Sequence, residues 1–313
     1  MRLVKNLCRI IVGIVFIYSG FVKGIDPLGS DYKFTDYFNA FGMGWMNATT
    51  LFFSFALSLV EFLIGIALLF NLWVSRMAWG SLLFMAFFTP LTLVLALTNP
   101  VSDCGCFGDA MILTNWQTFW KNIILLLLAI MIFVYRKEYK SSLPLVGQFS
   151  FLALAGAGML CLSVYCYRHL PVLDFRPYAV GKNITEGMRL PEGTEPDQYE
   201  VTLKYKNKQT GEVLSFTEEN YPWQDTLNWE YESSSERLVK KGYITPIHDL
   251  IIEHPTLGNI TEEILEDDNH TILAVAYNLT QSDMQYQPAI NRLAEYAQEK
   301  GIRFYGLTSS SER

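Results

Sequence analysis

Five apolar runs, each long enough to cross roughly 30 Å of hydrocarbon as a helix, dominate the first half of this 313-residue chain. They cover Leu3–Val22, Leu51–Trp73, Met77–Leu97, Phe119–Tyr135 and Leu143–Tyr167. In lipid every backbone polar group must be satisfied internally, which leaves helices as the fold for such runs. Trp45, Trp73, Trp116 and Trp120 stand near run ends, where interfacial aromatics gather. Arg2, Lys5 and Arg9 open the first run, but no Ala-x-Ala-like cleavage site follows, so it reads as an uncleaved span. A turn then leads into a short amphipathic piece over Asp31–Phe41.

Charge divides the chain. Residues 1–167 hold ten Lys/Arg against seven Asp/Glu, net +3, and the remainder holds 14 against 24, net −10. An acidic second part argues against nucleic acid and against docking on anionic lipid. With five spans, Arg2, Lys5, Arg9, Arg76, Arg136, Lys137 and Lys140 share one side. The other side carries Lys23, Lys33 and Lys121, offset by Asp26, Asp31, Asp36, Asp103 and Asp109. The positive-inside rule then puts the N-terminus in the cytoplasm and the C-terminal part outside.

The expected fold class is a mainly α membrane protein with an α+β or α/β extracytoplasmic domain. A four-helix transmembrane bundle covers residues 1–141 and a fifth transmembrane helix covers 142–167. An extracytoplasmic linker and β-rich region follows over 168–246, then a mixed segment over 247–313. Tyr199–Lys206 and Glu212–Phe216 alternate around Asn207–Gly211 and predict a β-hairpin, with Tyr221, Trp223 and Trp229 as core bulk. Ile247–Glu253, Thr271–Leu279 and Ile302–Leu307 predict strands; Thr261–Glu266 and Met284–Lys300 predict helices. Strand–helix–strand over Thr271–Leu307 is a parallel βαβ unit. A sheet built on one such unit ordinarily continues, so the chain reads as truncated after Arg313.

The sharpest chemistry lies in Ser102–Asp109, where Cys104 and Cys106 are separated by Gly105. On the outer side this pair meets an oxidising compartment. A disulfide across one residue closes a small strained ring, which glycine permits, and strained exposed disulfides exchange readily. Asp103 and Asp109 are expected to raise the thiol pKa values. Spacing alone leaves redox activity, a structural disulfide and two free thiols all open; two Cys without a nearby His make a poor metal site. Cys161 and Cys166, five apart, do not share a helix face, and Cys166 is expected near enough to the outer surface to meet the pair. Cys8 and Cys161 read as packing residues. Glu61, in the middle of the second span, faces the interior, for proton or quinone chemistry or for an interhelical hydrogen bond. Lys23 and Asp26 are expected to pair across their turn. His169, His248, His254 and His270 have no metal spacing.

Three pieces, Tyr18-Ser19-Gly20-Phe21-Val22-Lys23-Gly24-Ile25-Asp26-Pro27, Glu61 followed by Gly65, and Asp103-Cys104-Gly105-Cys106-Phe107-Gly108-Asp109, resemble the DoxX-like / MauE (methylamine utilisation) membrane proteins. The resemblance covers about residues 1–136 and implies a redox-associated four-helix domain of the bacterial inner membrane, with the C-terminal domain periplasmic. It is distantly similar to vitamin K epoxide reductase-type proteins; MauE itself is tied to maturation of a disulfide-rich periplasmic enzyme. Residues 247–310 are similar to part of a thioredoxin/redoxin-like domain. The Cys-x-x-Cys that opens the helix in active members is replaced here by Asn278-Leu279-Thr280-Gln281-Ser282-Asp283-Met284, and no cysteine follows Cys166.

Two functions are carried forward. In the first, Cys104 and Cys106 exchange electrons or disulfides with periplasmic protein thiols, as a thiol–disulfide oxidoreductase would. Cys166 is then a relay, and Glu61 is the interior carboxylate near a quinone. In the second, the chain is a non-enzymatic assembly or maturation factor with a structural disulfide and a client-binding redoxin-like domain. The lipid bilayer is a partner in both, an oligomer is compatible with both, and nucleic acid is a partner in neither.

Overall fold

The computed structural model describes residues 2–310 apart from 102, 197, 218–219, 241, 244, 248–249, 268, 277 and 281. The chain divides into two units, residues 1–179 and 180–313.

The first unit is helical, with α1 (Arg2–Ile25), α2 (Pro27–Ala40), α3 (Thr50–Leu69), α4 (Val74–Thr98), α5 (Asn115–Val134) and α6 (Leu145–Arg168). All but α2 are long and apolar enough to cross a membrane. Pro144 precedes α6 as its N-cap. α2 starts at Pro27 rather than at Asp31, because Asp26 caps it by accepting from the Gly29 N–H at 3.0 Å and Pro27 suits a first helical position. Asp26 is engaged in that cap, and Lys23 pairs instead with Glu61, correcting the Lys23–Asp26 pair expected from sequence. Outward positions such as Phe52, Leu83, Phe87, Leu127 and Leu154 are exposed apolar surface, the surface a bilayer solvates. Inward positions include Ser54, Ser58, Glu61, Ser81, Thr92, Thr118 and Asn122.

α1 lies on α3 along a seam of Gly13, Gly20 and Gly65. A methyl group on Gly20 would stand 2.6 Å from the Ser58 carbonyl oxygen, and one on Gly65 would stand 2.5 Å from the Ile17 nitrogen. Small residues allow this approach between membrane helices, and nothing larger fits. Gly20→Ala is therefore expected to cost about 1–3 kcal/mol by overpacking. Thermal unfolding in detergent measures it, and an unchanged melting temperature would mean that the helices are not this close.

The second unit opens with α7 (Ile184–Met188) and a sheet of β1 (Gln198–Asn207), β2 (Val213–Thr217) and β3 (Trp229–Lys240) in the order β2-β1-β3. The expected hairpin forms, pairing Tyr205 with Leu214 and Leu203 with Phe216. β3 pairs antiparallel with the other side of β1 and was not expected, since its run of Glu and Ser lacks an apolar alternation. Trp229 packs edge-on to Phe216 at 5.3 Å, whereas Trp223 is exposed and contributes no core. Residues 248–249 of the expected Ile247–Glu253 strand, which include His248, lie outside the described residues; among the described ones only Glu253 is in a strand, β4 (Glu253–His254), paired with β5 (Gly258–Asn259). Ile252 instead joins Ile260 and Ile264 in a small core beside α8 (Thr261–Leu265). β6 (Thr271–Val275) and β7 (Arg303–Leu307) pair in parallel around α9 (Gln287–Lys300), the expected strand–helix–strand, with the first strand ending at Val275 instead of Leu279.

Candidate redox site at the cysteine loop

The loop joining α4 to α5 is tied at its base and along its length. Buried Asn115, at the start of α5, donates to the Asn99 side chain and to the Val101 carbonyl, each at 2.9 Å. Lys33 of α2 pairs with Asp103 at 2.7 Å, and the other oxygen of Asp103 accepts from the Gly105 N–H at 2.8 Å. The Tyr37 hydroxyl donates to the Cys104 carbonyl at 2.7 Å, and the Ser19 hydroxyl of α1 lies 2.8 Å from the Cys106 carbonyl. Gly105 has φ +62°, and a Cβ there would sit 3.1 Å from Lys33 Cγ, so both backbone and space call for glycine. Phe107 is buried, with the Lys121 ammonium 4.3 Å from its ring centre.

Cys104 and Cys106 are thiols whose sulfurs stand 3.1 Å apart, Cys104 buried and Cys106 half-buried. Cys106 is held down to about 6, first by the S–H hydrogen bond from Cys104, then by the positive charges of Lys121 and Lys23, against burial and the charge of Glu61. Cys104 is pushed up, because its proton is the one donated to Cys106 and because it is buried. One sulfur is thus poised as a nucleophile and the other as its proton donor, the asymmetry that thiol exchange uses. The acidic neighbours do not set this balance as the sequence suggested. Asp103 is paired with Lys33, and Asp109 is itself pushed up, by burial first and by Asp26 next.

Behind the pair lies a cavity of about 70 Å³, open on one side, with Phe16, Phe34, Phe84 and Phe88 on its walls. Its polar lining includes Ser19, Lys23, Lys33, Tyr37, Glu61, Lys121 and Asn122. Glu61 is buried, pairs with Lys23 at 2.5 Å and lies 3.0 Å from the Ser19 hydroxyl.

Three of the four residues singled out from sequence, Glu61, Cys104 and Cys106, therefore share one cavity. Cys166 does not join them: it is buried on α6, and no residue of α6 lines that space. Cys161 is exposed on the same helix, and Cys8 is buried with its sulfur 3.9 Å from that of Met131. No group of three His, Cys, Asp or Glu suited to a metal occurs among the described residues. Sequence reasoning passed over Ser19, Tyr37 and Lys121 and gave Lys23 the wrong partner. The available signal was a lysine inside each of two spans opposite a buried carboxylate in a third.

Residues 1–135 match the family described as Methylamine utilisation protein MauE. Residues 199–241 match a domain of unknown function, DUF8463. No curated protein and no solved structure matches the chain. Residues 1–135 are thus similar to that family, the five long apolar helices are those of a multi-pass membrane protein, and neither match reaches residues 247–313.

Proposed function

We propose that this MauE-like chain is a thiol–disulfide exchange protein of the bacterial inner membrane. Its Cys104–Cys106 pair takes electrons from periplasmic protein thiols and passes them to a quinone-type acceptor in the apolar cavity. The observation that carries this reading is the juxtaposition of two asymmetric sulfurs, 3.1 Å apart, with an aromatic-walled cavity in a membrane-spanning unit. Phe34, Phe84 and Phe88 would hold an aromatic head group, and Lys121 and Asn122 would meet its oxygens. Such a group accepts two electrons and two protons; the pair supplies both electrons, and Cys104 supplies one of the protons.

The excess of Lys and Arg in the loops on the N-terminal side supports a periplasmic cysteine loop and C-terminal domain. The second unit carries no cysteine, so its contribution is to hold a partner rather than to exchange with it. The name of the matched family supports a client in methylamine utilisation, whose maturation would need disulfide formation.

The test is thiol trapping in native membranes. The wild-type pair should become oxidised on adding a short-chain quinone and reduced again on adding a reduced dithiol protein. Cys104→Ser and Cys106→Ser should each abolish that cycle. A pair that stays in one state under both treatments, or variants that leave client oxidation intact, would sink the proposal.

A further inference from the structure

We infer that Glu61, with Lys23 and Ser19, is the proton relay of the cysteine pair, holding a proton while the sulfurs are reduced and releasing it when the disulfide forms. The inference rests on the dithiol reading above and adds the path of the proton to it.

The first support is the buried Lys23–Glu61 contact, an ion pair when Glu61 is ionised and a hydrogen bond from Lys23 to a neutral carboxyl when Glu61 holds the proton. Lys23 Nζ and Glu61 Oε2 are 2.5 Å apart, with side chains only 9% and 5% exposed. A buried pair is a poor choice for stability alone, since apolar residues of equal volume often serve as well or better. The glycine seam already packs α1 on α3 at this level, so cohesion does not require the charges.

The second support is Ser19. Its oxygen lies 3.0 Å from Glu61 Oε2 and 2.8 Å from the Cys106 carbonyl oxygen, yet a hydroxyl has one hydrogen to give. With Glu61 ionised, that hydrogen satisfies either the carboxylate or the loop carbonyl. With Glu61 protonated, the carboxyl donates to Ser19 and Ser19 donates to the Cys106 carbonyl, and both contacts are met. The backbone of the reactive cysteine is thereby tied to the proton on Glu61.

The third is location. Lys23, Glu61 and both cysteines line one cavity. The other charged or titratable groups facing it are Lys33 and Tyr37 from α2 and Lys121 from α5, while α4 contributes Phe84, Met85, Phe88 and Leu91. Lys33 is paired with Asp103, Tyr37 is bonded to the Cys104 carbonyl, and Lys121 lies over Phe107.

The step balances. Cys104–SH, Cys106–S⁻, protonated Glu61 and a quinone-type acceptor give the disulfide, ionised Glu61 and the quinol. The Cys104 S–H bond breaks, the S–S bond forms and two electrons pass to the acceptor. Cys104 supplies one proton of the quinol and Glu61 the other. Lys23 keeps its charge throughout, facing the thiolate before the step and the carboxylate after it, so the buried net charge never changes. A partner dithiol then reduces the disulfide, returning one proton to Cys104 and one to Glu61, with Cys106 leaving as thiolate.

Infrared difference spectroscopy of the full chain in nanodiscs, reduced with dithiothreitol against oxidised with diamide, reads the proton directly. The expected result is a protonated-carboxyl band in the reduced state that disappears on oxidation, is absent in Glu61→Gln and shifts in Ser19→Ala. A wild-type spectrum without that band, or a band that survives in Glu61→Gln, overturns the relay. Lys23→Met/Glu61→Gln, which keeps the volume without the charges, guards against simple misfolding. It should still form the disulfide with diamide, and its rate with a short-chain quinone, divided by its own diamide rate, should fall about a hundredfold below the wild-type ratio, the scale of a lost proton carrier. If quinone oxidises this variant as fast as wild type, the relay fails alone. If quinone does not oxidise wild type at all, the dithiol reading fails with it.

Discussion

Cys106 should alkylate as a thiolate down to about pH 6, some three pH units below the 9.0 of an ordinary thiol. At neutral pH a thiol titrating at 9.0 is about one per cent ionised, whereas one titrating near 6 is about nine-tenths ionised, a gain on the order of ninetyfold in nucleophile. The sign follows from the direction of the shift. Reactivity holds as the medium is acidified from the ordinary value and falls only on passing through about 6. Stability linked to this thiol runs the same way, being fully present above the ordinary value and lost as pH falls through the depressed one. The S–H of Cys104 is the largest cause, so Cys104→Ala should move the midpoint furthest upward. Lys121→Gln removes the next cause and should move it by less. Mass-tag alkylation in membranes across a pH series measures all three. A wild-type midpoint at or above the ordinary value would show that the sulfur is not activated.

Breaking the Lys23–Glu61 pair from one side is the second large effect. In the disulfide form, where the relay leaves Glu61 ionised, Lys23→Met leaves the carboxylate buried without its cation, and losing one partner of a buried pair costs about 3–5 kcal/mol. Removing the carboxylate as well, in Lys23→Met/Glu61→Gln, should recover most of that loss, because neither charge then needs solvating. Unfolding of the two singles and the double in detergent closes the cycle. A coupling energy near zero would mean that the two side chains do not meet across α1 and α3.

Much of this was legible before any coordinates. Apolar runs locate membrane helices because lipid leaves the backbone no alternative, and all five appear within a few residues of their expected ends. α5 begins earlier than its apolar run because Thr114 and Gln117 form a capping box that starts the helix among polar residues. Cys104, Cys106 and Glu61 stood out because their chemistry is costly or reactive where they sit. Lys23 was given Asp26, three residues away, because sequence displays neighbours along the chain and hides those across a helix seam. The contact with Glu61 exists because Gly20 and Gly65 let two backbones close on each other. In the second unit β3 was missed because its middle, Glu232-Ser233-Ser234-Ser235-Glu236, is polar in sequence on both faces, whereas Ile252, read as part of a strand, is an anchor that a loop inserts among Ile260 and Ile264.

The glycine seam has a mechanical corollary. Ser19 and Lys23 stand on α1 and Glu61 on α3, so both contacts to the carboxylate span the gap that Gly13, Gly20 and Gly65 keep narrow. Any lateral strain that parts the two helices lengthens both contacts together and loosens the hold on the Cys106 carbonyl. On the exchange reading proposed above, the sulfur chemistry at one end of these helices would then depend on how closely α1 and α3 are held together.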